Sequence, residues 1–166
     1  LPTTAGGDIY IKGNWNRSAT GLFNHNDRAV FFNGSGKSTI TANGGQLFPY
    51  LYLVKNAVTD SLVLLDDISI SREFAVSAGT FDLAAKNATL KSDATNTADF
   101  GQVGALGNVA YTGVGRFIVE RYIPTGTIGG QHGKSWQFLA VPDNGGQTIN
   151  AGWQEGNVLP AVGTAG

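Results

Sequence analysis

The sequence predicts an all-β protein in which residues 8 to about 110 wind as a right-handed parallel β-helix, a ladder of short strands stacked coil on coil. Three observations carry this. Helical patterning is nearly absent, while short alternating apolar segments punctuated by Asn and Gly recur along the chain. Only 14% of the 166 residues are charged and 24 are glycine, against about 25% charged and about 7% glycine in ordinary soluble proteins. Finally, one apolar series, Ile9, Val30, Leu51, Ile70 and Leu90, recurs at nearly equal intervals along the chain. A fixed period of about 20 residues marks a repeat architecture.

Candidate strands in chain order are 8–12, 29–32, 38–42, 49–54, 62–65, 68–71, 73–77, 81–84 and 88–91, separated by Asn-, Gly- and Asp-rich corners. A second series, Ile40, Leu62, Phe81 and Phe100, sits half a turn out of phase. In a parallel solenoid each inward side chain lies over its counterpart about 4.8 Å below, so inward positions repeat once per coil. About five coils fill this region. A leucine-rich repeat shares the period but needs an L-x-x-L-x-L-x-x-N pattern that is missing. A β-sandwich of nine short strands is the stronger competitor.

From Gly113 the rhythm breaks. Phe117 to Ile123, ended by Pro124, and Ser135 to Val141, ended by Pro142, read as longer strands flanking a glycine-rich loop. The expected division is a solenoid over 1–112 and, over 113–166, the start of a second, antiparallel, sandwich-like module or cap.

The 11 basic and 12 acidic residues form no run of either sign, which argues against nucleic acid and against a polybasic membrane contact. The absence of cysteine excludes disulfides, thiolate catalysis and Cys-ligated zinc. The longest apolar stretch, Leu47 to Val54, is interrupted by Pro49 and falls far short of the ~20 residues of a membrane-spanning helix. The opening Leu1-Pro2-Thr3-Thr4 reads as the interior of a longer precursor.

Motifs that suggest chemistry each have a plainer reading. Asn33-Gly34-Ser35-Gly36-Lys37-Ser38-Thr39 looks like a phosphate loop, but the spacing requires glycine where Phe31 stands and no helix follows, so a corner is expected. Asp66 and Asp67, with Arg72 and Glu73, invite comparison with the carboxylate sites of pectin-cleaving β-helices. Such sites need acidic layers on neighbouring coils, whereas the positions one coil away are Gln46, Leu47, Lys86 and Asn87; only Glu73 has an acidic counterpart, Asp93. Solvated corners are expected. His25 and His132 lie among Asn or Gly with no triad or ligand spacing around them. Neither a catalytic residue nor a metal or other cofactor is expected. Trp136, Trp153 and Tyr122 are candidate glycan contacts, since flat amphipathic rings stack on sugars, although core packing explains Trp136 and Trp153 as well. Asp60-Ser61-Leu62 makes Ser61 a candidate O-glycosylation site through the resemblance described next.

Val119-Glu120-Arg121-Tyr122-Ile123-Pro124, Ser135 to Pro142, Thr148-Ile149-Asn150 and Trp153-Gln154-Glu155-Gly156 resemble, in order and spacing, a segment of large secreted surface proteins of Bacteroidota. Gly13-Asn14-Trp15-Asn16, Val30-Phe31-Phe32-Asn33-Gly34 and Gly79-Thr80-Phe81-Asp82-Leu83 resemble the Gly- and Asn-rich repeats that precede it. The resemblance implies type IX secretion, display at the cell surface, and a role in adhesion, gliding motility or matrix formation. Its expected partners are surface glycans, other cell-surface proteins and the export machinery. It also implies that Asp60-Ser61-Leu62 matches the short Asp-Ser/Thr-apolar site at which such proteins receive O-linked glycans. The resulting expectation is a non-catalytic structural or adhesive segment. The alternatives are a carbohydrate-active or glycan-binding β-helix and a self-associating fibre subunit.

Overall fold

The computed structural model describes residues 7–122. The strand at 135–141, Trp136, Trp153, His132 and the part of the expected second module beyond Tyr122 lie outside the described residues.

Among the described residues there is no helix, and the ten strands pair in parallel throughout. In chain order they are β1 (Ile9–Ile11), β2 (Trp15–Asn16), β3 (Ala29–Gly34), β4 (Lys37–Thr41), β5 (Gln46–Lys55), β6 (Ser61–Leu64), β7 (Ile68–Asp82), β8 (Ala88–Leu90), β9 (Asp99–Ala110) and β10 (Phe117–Val119). They sort into three faces. Face A stacks β1, β3, residues 50–54 of β5, 73–78 of β7 and the first part of β9. Face B stacks β2, β4, β6, residues 80–82 of β7 and the last part of β9. Face C stacks residues 46–48 of β5, 68–70 of β7, β8 and β10. The described chain is a parallel β-solenoid.

Alternation decides which side chains fill it. In β3, Val30 and Phe32 are fully buried while Phe31 between them faces out, the period-2 rule of any strand. Each inward residue meets its counterpart one coil on. Ile9, Val30, Leu51, Phe74 and Phe100 form one core column, and Ile11, Phe32, Leu53, Val76 and Val103 its neighbour. On face C, Phe48, Ile70, Leu90 and Val119 form a third.

These columns correct the expected ridges. Leu51 is followed by Phe74, not Ile70, and Ile70 continues the face C column begun by Phe48. Ile40 stacks on Leu64 and Phe81 on Val109, while Phe100 belongs to face A. The cause is that the coils lengthen. Along face A the steps from Ile9 to Val30 and from Val30 to Leu51 are equal, but those from Leu51 to Phe74 and from Phe74 to Phe100 are successively longer. A fixed interval therefore slides from one face to the next. The three segments expected as separate strands over 68–84 are the single strand β7, which passes through all three faces.

The ladder also runs further than Gly113. Phe117 and Val119 lie in register over Ala88 and Leu90, and the first compact unit of the chain ends at Tyr122. The expected boundary at 112/113 therefore falls inside a coil. The long step from Leu90 to Val119 hides the repeat there.

The last coil differs from those below it. Phe100, Val103 and Leu106 pair with Phe74, Val76 and Ala78, three residues for every two, with bulges between. A bulge inserts an unpaired residue and bends its strand. A glycine follows each apolar residue, and the backbone approaches so closely that a Cβ on Gly104 would sit 2.2 Å from the Ser77 carbonyl oxygen. Phe100 and Val103 continue the core columns yet remain partly exposed, because no described strand lies beyond them, while Leu106 continues the outward column of Val54 and Ala78.

Candidate functional site

The corners come first, since the sequence places the carboxylates there. Asp66 Oδ2 accepts the N–H of Ala42 on the preceding coil at 2.8 Å, and Asp67 Oδ1 accepts that of Asn87 on the next coil at 2.8 Å. Downstream the neighbours are those the spacing predicts, with Lys86 Nζ 4.0 Å from Asp66 and Asn87 bonded to Asp67; upstream they are not, since Gln46 and Leu47 stand in register with Ile68 and Ser69 and Asp66 meets Ala42. The same device recurs. Asp8 accepts from Ala29, Asn14 from Thr39, Asp60 from Gly36, Asn87 from Arg116 and Glu120 from Ser92. Corner backbone leaves the ladder and its N–H groups need acceptors; short Asp and Asn side chains reach across one rung to supply them. The Asp- and Asn-rich corners are thus staples between coils. Removing one of these acceptors, as in Asp66→Ala or Asp67→Ala, is expected to cost about 1–2 kcal/mol, read as a lowered urea midpoint; an unchanged midpoint in both would contradict the stapling role.

Glu73 stands in register with Asp99, not with Asp93. Asp93 instead closes a turn, accepting from Thr95 and Asn96. Those bonds, the Thr95 hydroxyl first, hold its carboxyl below the ordinary range. Burial works against an ionised Asp82, but the Thr112 hydroxyl and the N–H groups of Ala84 and Thr112 outweigh it, and its pKa is also lowered. Glu120 is lowered by the Lys91 ammonium and the Ser92 N–H. A carboxyl with a depressed folded pKa contributes stability that is present above its unfolded pKa of about 4 and is lost as pH falls through the folded value. The urea midpoint is expected to hold from pH 7 to about 5 and decline below about 4; a flat profile to pH 2 would contradict this.

Gly34 and Gly36 take positive φ of 80° and 76° in the β3–β4 turn, so the phosphate-loop look-alike is a corner, as expected. His25 lies in the segment before β3, its Nδ1 accepting the Asp27 N–H. The described residues hold no group of three His, Cys, Asp or Glu placed to share a metal ion.

One pair escaped the sequence reading. Lys55 Nζ donates to Ser38 Oγ at 2.7 Å, in form a nucleophile beside an amine. Ser38 is 0% and Lys55 4% exposed, so the pair is sealed inside the coil and acts as a polar bridge between β4 and the end of β5. Burial lowers the Lys55 pKa, with the Asp60 carboxylate acting in the opposite sense.

Of the candidate modification motif, only Ser61 is turned outward, half-buried between Lys37 and Thr80. Leu62 is in the core, and Asp60 is buried with its carboxylate accepting the N–H groups of Gly36 and Ala57. Tyr122 is half-exposed, and its N–H donates to Ser92 Oγ at 2.9 Å.

The outer surface of face A carries what the sequence reading did not assemble. Tyr10, Phe31 and Tyr52 face outward on three successive coils. Their rings stack with centroids 4.8 Å apart at each step and interplanar angles of 8° and 25°. Tyr50 lies beside Tyr52 with ring centroids 6.4 Å apart. The Tyr52 hydroxyl donates to Glu73 Oε2 at 2.8 Å; burial raises its pKa, and the bond to Glu73 raises it further. Asp8 is placed at the other end, on the first coil. The signal was present in the sequence as aromatic residues recurring once per coil from Tyr10, one position along from the inward series.

Compared with models of protein families, with curated proteins and with solved structures, the chain matches none.

Proposed function

We propose that this chain is a non-catalytic structural and adhesive segment of a secreted cell-surface protein, in which the solenoid serves as a rigid spacer carrying interaction surfaces. The observation that supports this is the continuity of the core columns from Ile9 to Phe100 and from Phe48 to Val119, with side-chain staples at the corners. In such stacks each coil is held by its neighbours, and the outward faces are free to vary. Secretion by the type IX route, and the adhesion, gliding or matrix roles, rest on the sequence resemblance. In the cells that make the protein, an antibody raised against residues 7–122 should label the intact surface. Labelling seen only after permeabilisation would overturn the reading.

The carbohydrate-cleaving alternative depends on Asp66 and Asp67. Both are engaged by backbone N–H groups of adjacent coils, which favours the spacer reading. Polyuronate cleavage abolished by Asp66→Ala and Asp67→Ala, with the fold retained, would reverse that preference.

The fibre-subunit reading has one observation of its own: Phe100, Val103, Leu106 and Val119 expose apolar surface along the last described rung, and an uncovered strand edge invites pairing. Sedimentation velocity over a hundredfold concentration range tests it, with a single concentration-independent species counting against self-association.

Modification at Ser61 carries a consequence for timing. With Asp60 and Leu62 both buried in the folded coil, an enzyme that reads those side chains would act before the coil closes. Protein isolated from its own cells would carry the glycan at Ser61, whereas refolded protein offered the same enzyme would stay unmodified; efficient modification of the folded chain would refute this.

A further inference from the structure

The outward aromatic column on face A is long enough, and chemically mixed enough, to define a ligand. We propose that this surface binds a neutral, extended polysaccharide lying along the solenoid axis, one sugar ring on the open face of Tyr10, the next along the outer edges of the stacked Phe31 and Tyr52 rings, and its hydroxyls donating to Asp8 and Glu73. The inference rests on the adhesive reading above for the role of the outer surface, and it names the surface and the ligand class that reading leaves open.

The rings come first. Isolated aromatic side chains on a surface are ordinary. Three in one register column on consecutive coils form a continuous apolar strip running across the strands. Tyr10 ends that strip 65% exposed, and among the described residues its only ring contact is with Phe31, so one face of its ring remains for a ligand. The next coil carries Ala75 at the same register position, where the strip steps down past Tyr52.

Beside the strip run the acceptors. The adjacent register column holds Ala29, which is buried, then Tyr50, Glu73 and Asp99, with Asp8 bonded to the Ala29 N–H at its start. Glu73 already accepts the Tyr52 hydroxyl and Asp8 the Ala29 N–H. Each carboxylate retains further lone pairs; having a donor in place, it suits added hydroxyl donors without demanding a counter-ion. Three carboxylates along this edge, Asp8, Glu73 and Asp99, oppose anionic chains such as polyuronates.

Aromatic rings beside carboxylates would also suit a basic peptide through cation–π and ionic contacts. Spacing decides between them. Rungs recur about every 4.8 Å, whereas side chains on one side of an extended peptide recur every two residues, about 6.6 Å, and leave register after a single rung. A chain of pyranose rings advances by nearly one rung per sugar, so successive sugars stay in step with successive rungs.

Isothermal titration of the full chain with cellohexaose and laminarihexaose as neutral probes, hexagalacturonate as the anionic one and hexalysine as the basic one tests this. Saturable binding to a neutral hexasaccharide is expected, with none to hexagalacturonate. Tyr10→Ser should weaken that binding about 3- to 10-fold, the worth of one ring contact, with the far-UV circular dichroism unchanged. Tyr52→Phe, which keeps the ring and removes only the hydroxyl held by Glu73, should weaken it less and guards against a folding defect in the first variant. No binding to either neutral probe, preference for hexalysine, or neutral binding indifferent to both variants would each overturn the proposal. A chain that is displayed on cells but binds no glycan would lose this inference alone, because surface labelling tests the broader reading separately.

Discussion

Replacing Phe74 with alanine is expected to cost about 3–5 kcal/mol, the range for deleting a buried phenyl ring. Phe74 is fully buried in β7 at the point where the three faces meet. Its ring lies 4.6 Å from Phe81 of face B, 5.1 Å from Phe100 of the last face A rung and 5.5 Å from Phe117 of face C. The deletion therefore opens a hole that borders every face, and the surrounding rings, each fixed by its own column, cannot all move in to fill it. Urea unfolding followed by circular dichroism measures the loss. A cost below about 1 kcal/mol would mean that the cluster collapses into the space and that Phe74 is no keystone.

The second large effect is expected from a single added methyl group. At Gly104 a Cβ would stand 2.2 Å from the oxygen, 3.0 Å from the carbon and 3.1 Å from the Cα of Ser77. All three are backbone atoms, so no rotamer change relieves the clash. Gly104→Ala should force β9 off β7 at its bulge and cost about 3 kcal/mol, the upper part of the overpacking range. Hydrogen exchange adds a local readout, with β9 amides losing protection before those of β3 and β5. Gly13→Ala is the matched control, since nothing lies within 4 Å of a Cβ there. Unchanged protection in β9 would show that the close approach is not required.

The contrast between these two sites shows what was legible in the sequence. The all-β class, the parallel stacking and the strands around Val30, Leu51 and Ile70 followed from alternation and from a nearly constant repeat, because inward side chains of a solenoid must recur once per coil. The register was not legible beyond Leu51. Corner lengths vary, and a spacing rule cannot tell that Phe74, a few positions after Ile70, takes over the column. Strand β9 was missed for a related reason. Phe100-Gly101-Gln102, Val103-Gly104-Ala105 and Leu106-Gly107-Asn108 repeat an apolar-Gly-x triplet, which matches neither the strand period of two nor the helical period of about 3.6. Glycine permits three residues to pass where two would fit, and that triplet was the available signal.

For the candidate surface the position is similar. Asp66 and Asp67 lie in a corner, as expected, and each ties a neighbouring coil's N–H group, whereas Arg72 and Glu73, expected in the same corner, stand inside β7. Tyr10, Phe31 and Tyr52 share the spacing of the inward series, one residue out of phase, so an outward column is masked in the sequence by the core column beside it. The sealed Ser38–Lys55 pair could not have been foreseen, since it joins residues on adjacent coils through a corner whose length only the folded chain reveals.

The ladder also bears on how such a chain comes into being. Among the described residues every strand pairing is made with the adjoining coil, whether it is as short in sequence as Leu62 with Phe81 or as long as Ala88 with Phe117, and none reaches past it. A newly made segment therefore has to search only the surface left by the segment before it, so the closure entropy is that of a loop of a few tens of residues however long the whole becomes. Growth of this kind is templated. An emerging chain can acquire its structure in the order in which it is made or delivered, and an interrupted solenoid is a shorter stack with one more rung exposed.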